Sequence, residues 1–174
     1  MAFNRAPDEE ERLKALRRER FSNTEGEKRF KQMVEERAQR RQKLMEQGTF
    51  NQSSLVEARK IAGTCTLMCP VFEREERELK KSLALQEVYP GTRQADPAKT
   101  VKTFHRSAAG NEEPLPEDLR TPDTLIQTLD YLINSVIAQD QTLQSCHGFV
   151  RDRTRSIRQD FTIQNIRDLR TVAA

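Results

Sequence analysis

The sequence predicts an all-α protein: a long charged helical arm over residues 1–50, then helices over 51–174 whose succession suits the beginning of an α-solenoid. Apolar residues recur at helical spacing, most plainly at Leu125, Ile126, Leu129, Leu132, Ile133, Val136 and Ile137. Helix starts are marked by proline behind a capping residue, at Asp96-Pro97 and Thr121-Pro122. No segment shows the apolar–polar alternation of a half-buried strand.

Composition narrows the function classes. The chain has 174 residues, 33% charged and 35% hydrophobic, with a mean hydropathy of −0.83. That is poor in core-forming residues, so part of the chain is expected to bury little. The formal net charge of +3 comes from 30 basic and 27 acidic residues of interleaved sign. Such a balance suits solvated helix faces and does not by itself indicate nucleic acid. No apolar run reaches the roughly 18 residues of a membrane span. The start carries Asp8, Glu9, Glu10 and Glu11 and no apolar h-region, unlike a secretory signal. Cys65, Cys69 and Cys146 make no disulfide framework, so a reducing compartment, cytosol or nucleus, is expected.

Asp8–Arg20 reads as a helix with acids in its first turn. The patch Ser22–Gly26 is expected to interrupt it, and a second helix to run from Glu27 to Gln47 with Gly48 as C-cap. Phe30, Met33, Val34, Leu44 and Met45 are too sparse for a heptad seam, so the arm is expected to be solvated and partly disordered. A short helix with Leu55, Val56, Ala58 and Ile61 should follow, ended by Gly63. The stretch from Gly63 to Pro70 is a compact apolar loop. Glu73–Leu85 then reads as a helix, with Glu73–Arg77 and Glu76–Lys80 as i, i+4 pairs. Tyr89-Pro90-Gly91 marks a turn. Asp96-Pro97 is expected to open a helix carrying Ala98, Val101, Phe104 and Ala108, ended by Gly110. An acidic linker, Asn111–Asp118, leads to the helix Pro122–Ala138, whose broad apolar face should line the core.

The closing segment, Phe149–Asn165, is read as a helix from about Val150. Val150, Ile157 and Phe161 fall on one side, and Arg151, Arg155 and Arg158 share another. Guanidinium groups in such a row either lock packed helices, by pairing with Asp152, Asp160 or backbone carbonyls, or form a ledge for phosphate. The structural reading is preferred for Arg153, Arg155 and Arg158, since a buried guanidinium needs full pairing. The RNA reading would use Arg151, Arg155 and Arg158 with Lys99 and Lys102. It lacks exposed aromatics for base stacking. The Cys-x-x-x-Cys spacing at Cys65 and Cys69, with Cys146-His147 far away, lacks the paired knuckles of a structural zinc site, and the thiols read as small buried hydrophobes. There is no nucleophile–base pairing, glycine-rich phosphate loop or carboxylate constellation, so no enzyme, no cofactor and no metal is expected.

The stretches GTCTLMCPVFEREERE (63–78), VKTFHRSAAG (101–110), LPEDLRTPDTLIQTLDYLI (115–133) and FVRDRTRSIRQDFTIQN (149–165) together resemble the SAC/GANP family. These are helical scaffold proteins of eukaryotic mRNA export. The resemblance runs from about Gly63 to Asn165. It marks Cys65, Met68, Cys69, Pro70, Arg120, Asp152, Arg153, Arg155, Arg158, Gln159 and Asp160 as signature residues for structure or partner binding. It implies the first helices of a PCI-associated helical repeat that would run on into a winged-helix domain, so the chain is expected to be the N-terminal portion of such a scaffold. The helix Pro122–Ala138 is then expected to be poorly covered. The implied company is a PCI-domain subunit, a small acidic subunit and a DEAD-box ATPase, with RNA as a weaker partner and no membrane. A PCI scaffold in splicing or signalosome-like assemblies is the variant within that class. The implied location is the nucleus at its pore, with the cytoplasm as the alternative.

Overall fold

The computed structural model describes residues 7–46, 61–106, 114–138 and 143–166, with the side chains of the first helix from residue 25 onward. Helix α1, Pro7–Glu46, is continuous. The interruption expected at Ser22–Gly26 is absent, because the weak helix preference of Ser, Asn and Gly, under about 1 kcal/mol each, is easily overridden by neighbours and packing. Nor is the arm merely solvated. Its second half lies on helix α2, Val71–Leu79. Phe30 stacks on Phe72 at 5.2 Å between centroids. The Arg37 guanidinium sits 4.1 Å over the same ring while donating at 2.6 and 2.7 Å to the two oxygens of Asp118. Arg29 pairs with Glu75 and Arg40 with Glu117. A sparse apolar stripe is enough when an aromatic pair and ionic forks share the docking. The predicted C-cap at Gly48, most of the short helix after it and the expected boundary near residue 50 lie outside the described residues.

Helix α2 begins directly after Pro70 and is shorter than the expected Glu73–Leu85. It ends because Lys81 takes a left-handed conformation, φ 55°. The amides of Lys81 and Ser82 then reach back to the carbonyls of Glu78 and Arg77 at 3.0 and 2.9 Å, a Schellman closure with lysine where glycine is usual.

The helix expected at Asp96-Pro97 does not form. Asp96 does cap a turn, accepting from Ala98 N–H at 3.0 Å, but the turn closes at once and Thr100–Arg106 carries no regular secondary structure. The backbone amides of Val101 to Phe104 are taken by partners elsewhere. Val101 N–H donates to Glu87 at 3.1 Å, Lys102 N–H to the Met68 carbonyl at 3.0 Å, Thr103 N–H to Glu73 at 2.7 Å and Phe104 N–H to Asp152 at 3.2 Å. Three carboxylates and the Met68 carbonyl thus replace the helical ladder, and the β-branched Thr100, Val101 and Thr103 have weak helix preference.

Helix α3, Pro122–Tyr131, starts as predicted, with Thr121 Oγ1 accepting from Thr124 N–H. It continues as one π-helical stretch over Leu132–Ile137, so the predicted helix end near Ala138 holds while its last turns are widened. Helix α4, Leu143–Ile163, begins earlier than Val150. Leu125, Leu132, Val136, Cys146 and Ile157 form the apolar core between α3 and α4, with Val150 and Phe161 packed against it. The apolar face of the Pro122–Ala138 helix is therefore better covered than expected, although Ile133 keeps 48% exposure.

Among the described residues there is no strand, only isolated bridges between Cys65 and Arg120 and between Val88 and Ala95. The chain is all-α, and its stretches without regular secondary structure serve to lay backbone along α4.

Candidate functional site

The site is built on α4 because that helix alternates buried acceptors with arginines at helical spacing. Ser156, Asp160 and Gln164 follow one another at i, i+4, i+8, and all are buried. Arg153 lies one turn before, also buried. Each meets a segment from elsewhere in the chain, and the contacts gather into two ionic clusters.

The first centres on Asp160, which is fully buried. One carboxylate oxygen accepts from Lys102 Nζ at 2.6 Å. The other accepts from Arg120 Nε at 2.8 Å and Arg120 N–H at 3.3 Å. Arg120 is the largest fully buried side chain among the described residues. Its remaining donors reach Ser156 Oγ at 2.7 Å and the Met68 carbonyl at 3.4 Å. Lys102 also donates to the Asp118 carbonyl at 2.6 Å. Gln164 closes the edge: its amide donates to the Arg120 carbonyl at 2.9 Å and accepts from Gly63 N–H at 2.8 Å. The Asp160 carboxylate therefore fastens the 100–106 and 114–121 segments to α4, and Gln164 and Arg120 add the 61–70 segment.

Gly63 stands where that fastening is tightest. A Cβ there would lie 2.5 Å from the Leu119 carbonyl oxygen and 2.8 Å from that of Arg120; the first is held by Cys65 N–H at 3.0 Å and the second by the Gln164 amide at 2.9 Å. Gly63→Ala is expected to destabilise the chain by about 1–3 kcal/mol, the range for overpacking. Its urea unfolding midpoint should fall accordingly, and an unchanged midpoint would contradict the close approach.

The second cluster centres on Glu87, also fully buried. Arg77 and Arg153 both fork onto it, Arg153 at 3.0 Å to each oxygen and Arg77 through both terminal nitrogens. The amides of Ala84 and Val101 add further donors at 3.0 and 3.1 Å. Burial alone would raise the Glu87 carboxyl, but the Arg77 hydrogen bonds and the charges of Arg153 and Arg77 hold it below the ordinary glutamate range. Arg77 also donates to the Val101 carbonyl at 3.0 Å, and Glu73 stands 4.0 Å away. Arg153 further pairs with Asp152 and lies 4.5 Å over Phe149; its Nε is left without a partner.

The predicted residues thus separate. Asp152 and Arg153 pair as expected. Asp160 does not serve the arginines of its own helix; it serves Arg120 and Lys102. Lys102, read as an RNA contact, is buried, and Lys99 pairs with Asp96 at 3.6 Å. Arg155 has no acid partner among the described residues: its guanidinium lies 4.2 Å over Phe104. Arg151 and Arg158 are exposed. Gln159 donates to the His105 carbonyl at 2.8 Å. Cys65 is half-buried and its thiol donates to the Leu67 carbonyl at 3.4 Å. Cys69 is buried, and burial together with the nearby Glu73 charge pushes its thiol far above the usual range. Met68 acts through its carbonyl, and buried Pro70 sets the start of α2.

Sequence reasoning missed Glu87, Arg77, Lys102, Ser156 and Gln164 as members of the clusters. Glu87 had a signal, being the one acid between Lys81 and Asp96. Ser156 and Gln164 flank Asp160 at i−4 and i+4.

The comparisons with known proteins place the chain in a family. The SAC3/GANP family model matches residues 68–174. The chain is similar to "SAC3 family protein 1" of Schizosaccharomyces pombe, 45% identical over 161 residues, 90% of this chain and 16% of that protein. It is similar to "Protein xmas" of Drosophila melanogaster, 38% identical over 117 residues, covering 63% of the chain and 6% of that protein. It is also similar to "SAC3 family protein B" of Arabidopsis thaliana, 34% identical over 110 residues, 61% of the chain and 6% of the relative. The chain thus spans a small part of each relative's length. The matched region holds Asp160, Arg120, Glu87 and both arginines that bind Glu87, and this chain belongs to the SAC3/GANP family.

Proposed function

We propose that the chain acts as a non-enzymatic scaffold subunit of a nuclear mRNA export complex that couples transcription to export at the nuclear pore. It would hold a PCI-domain subunit and a small acidic subunit there, in the company of a DEAD-box ATPase. The observation that carries the scaffold reading is the internal commitment of the buried charges. Asp160, Glu87, Arg120, Arg77, Arg153 and Lys102 bind one another and the backbone. Groups held in that way fix segments in place and are not free to act on a substrate. Family membership supports the export role.

The test is the distribution of polyadenylated RNA after depletion of the protein, followed by in situ hybridisation. Retention in the nucleus, rescued by the wild-type protein and not by one carrying Asp160→Ala, is expected. An unchanged distribution would overturn the export role. Tight, steeply salt-dependent RNA binding by the isolated chain would favour an RNA-binding module instead.

A further inference from the structure

One face of α4 is not consumed by the ionic clusters. Arg151, Arg155 and Arg158 follow one another there at i, i+4, i+7, spanning about 10 Å along the axis. Arg151 and Arg158 are exposed, and neither side chain has a partner among the described residues. Arg155 is half-buried, with its guanidinium 4.2 Å over the Phe104 ring. Phe104, Arg155, Arg158, Gln159, Thr162 and Ile163 line an open cleft of about 400 Å³.

This ledge is rigidly supported. The backbone of Phe104 is pinned to α4 through Asp152 on one side, and that of His105 through Gln159 on the other. The aromatic ring and the guanidinium over it are therefore placed before any ligand arrives, which lowers the ordering cost of binding. Asp152, the nearest acid on the helix, is engaged by Arg153 and does not neutralise the row.

We propose that this ledge docks an acidic peptide segment of a partner protein, seating an apolar side chain against Ile163 and the part of Phe104 that Arg155 leaves open to the cleft, with carboxylates on Arg155 and Arg158. Planar guanidinium forks match carboxylates bidentately, and the apolar floor between them calls for a hydrocarbon side chain. RNA fits less well. The aromatic ring is already covered by Arg155, so it offers no platform for a base. The lysines that could have lengthened the row are committed, Lys102 to Asp160 and Lys99 to Asp96. A row of about three phosphate contacts supplies little affinity at physiological salt. The ledge does not depend on the export role, so either can fail without the other.

The experiment pans a random peptide library displayed on phage against the folded chain, alongside the Arg155→Glu and Arg158→Glu variants. Binding of fluorescent oligouridine is measured in parallel. Selected peptides should carry Asp or Glu on both sides of a Leu, Ile or Phe. A synthetic copy should bind the wild type at least tenfold more tightly than either variant. Arg158→Glu changes an exposed side chain that has no partner among the described residues, so it remains decisive even if Arg155→Glu melts. Absence of enrichment, or a consensus retained on Arg158→Glu, overturns the proposal. Oligouridine binding that exceeds peptide binding and is lost in Arg158→Glu overturns it in favour of RNA.

Discussion

Asp160→Ala will lower the unfolding free energy of the chain by about 3–5 kcal/mol, the loss expected when one partner of a buried ion pair is removed. Asp160 is fully buried and so is Arg120, which donates to it through Nε and through the backbone. Lys102 is 9% exposed and reaches the same carboxylate. Without it, two cations face each other in the interior with only Ser156 and backbone carbonyls to receive them. Domains of this size have a stability of about 5–15 kcal/mol in total, so the variant should sit near the edge of folding. Urea unfolding followed by circular dichroism measures the loss. The effect should be strongly non-additive. In an Arg120→Met background the same substitution should cost much less, because one of the stranded cations is already gone. A loss under about 1 kcal/mol in the wild-type background would mean that water reaches the cluster and screens it.

The contrast between the two halves of the signature helix explains what a sequence can and cannot disclose. Ile157, Val150 and Phe161 were legible as core because helical periodicity depends only on local spacing. Thr121-Pro122 was legible as a helix start because capping is local too. The destination of a buried charge is not local. Asp160 lies among arginines of its own helix in sequence, but none stands at i±3 or i±4, and it binds residues 40 and 58 positions away. Spacing along one helix cannot tell which distant segment supplies the cation. The failed helix at Asp96-Pro97 has the same origin. Its capping signal was real, but Glu87, Glu73 and Asp152 took the backbone donors that a helix would have used. The α1 arm shows the reverse, where a pattern read as solvated docks through Phe30 and Arg37 because Phe72 and Asp118 are waiting on other segments.

Glu87→Gln should destabilise the chain about as much as Asp160→Ala, by about 3–5 kcal/mol, and should also change its response to acid. The amide keeps the shape of the carboxylate but removes the charge on which two guanidinium groups converge. Both groups are nearly buried: the Arg77 side chain is 7% exposed and that of Arg153 is 6%. The Gln amide nitrogen would also point a donor at donors. Wild-type Glu87 has its folded-state pKa lowered: burial acts to raise it, and the Arg77 hydrogen bonds with the charges of Arg153 and Arg77 override that. Between the folded and the unfolded values the unfolded chain binds the extra proton, so stability rises with pH there. The Glu87 contribution is therefore fully present above the ordinary glutamate value of about 4.3. It is lost as the pH falls through the lower folded value. Urea midpoints measured from neutral pH down into that acid range should drop for the wild type, while Glu87→Gln starts lower and declines less steeply. Parallel acid declines would show that other carboxylates carry the pH dependence and that the charge on Glu87 is not what holds Arg77 to Arg153.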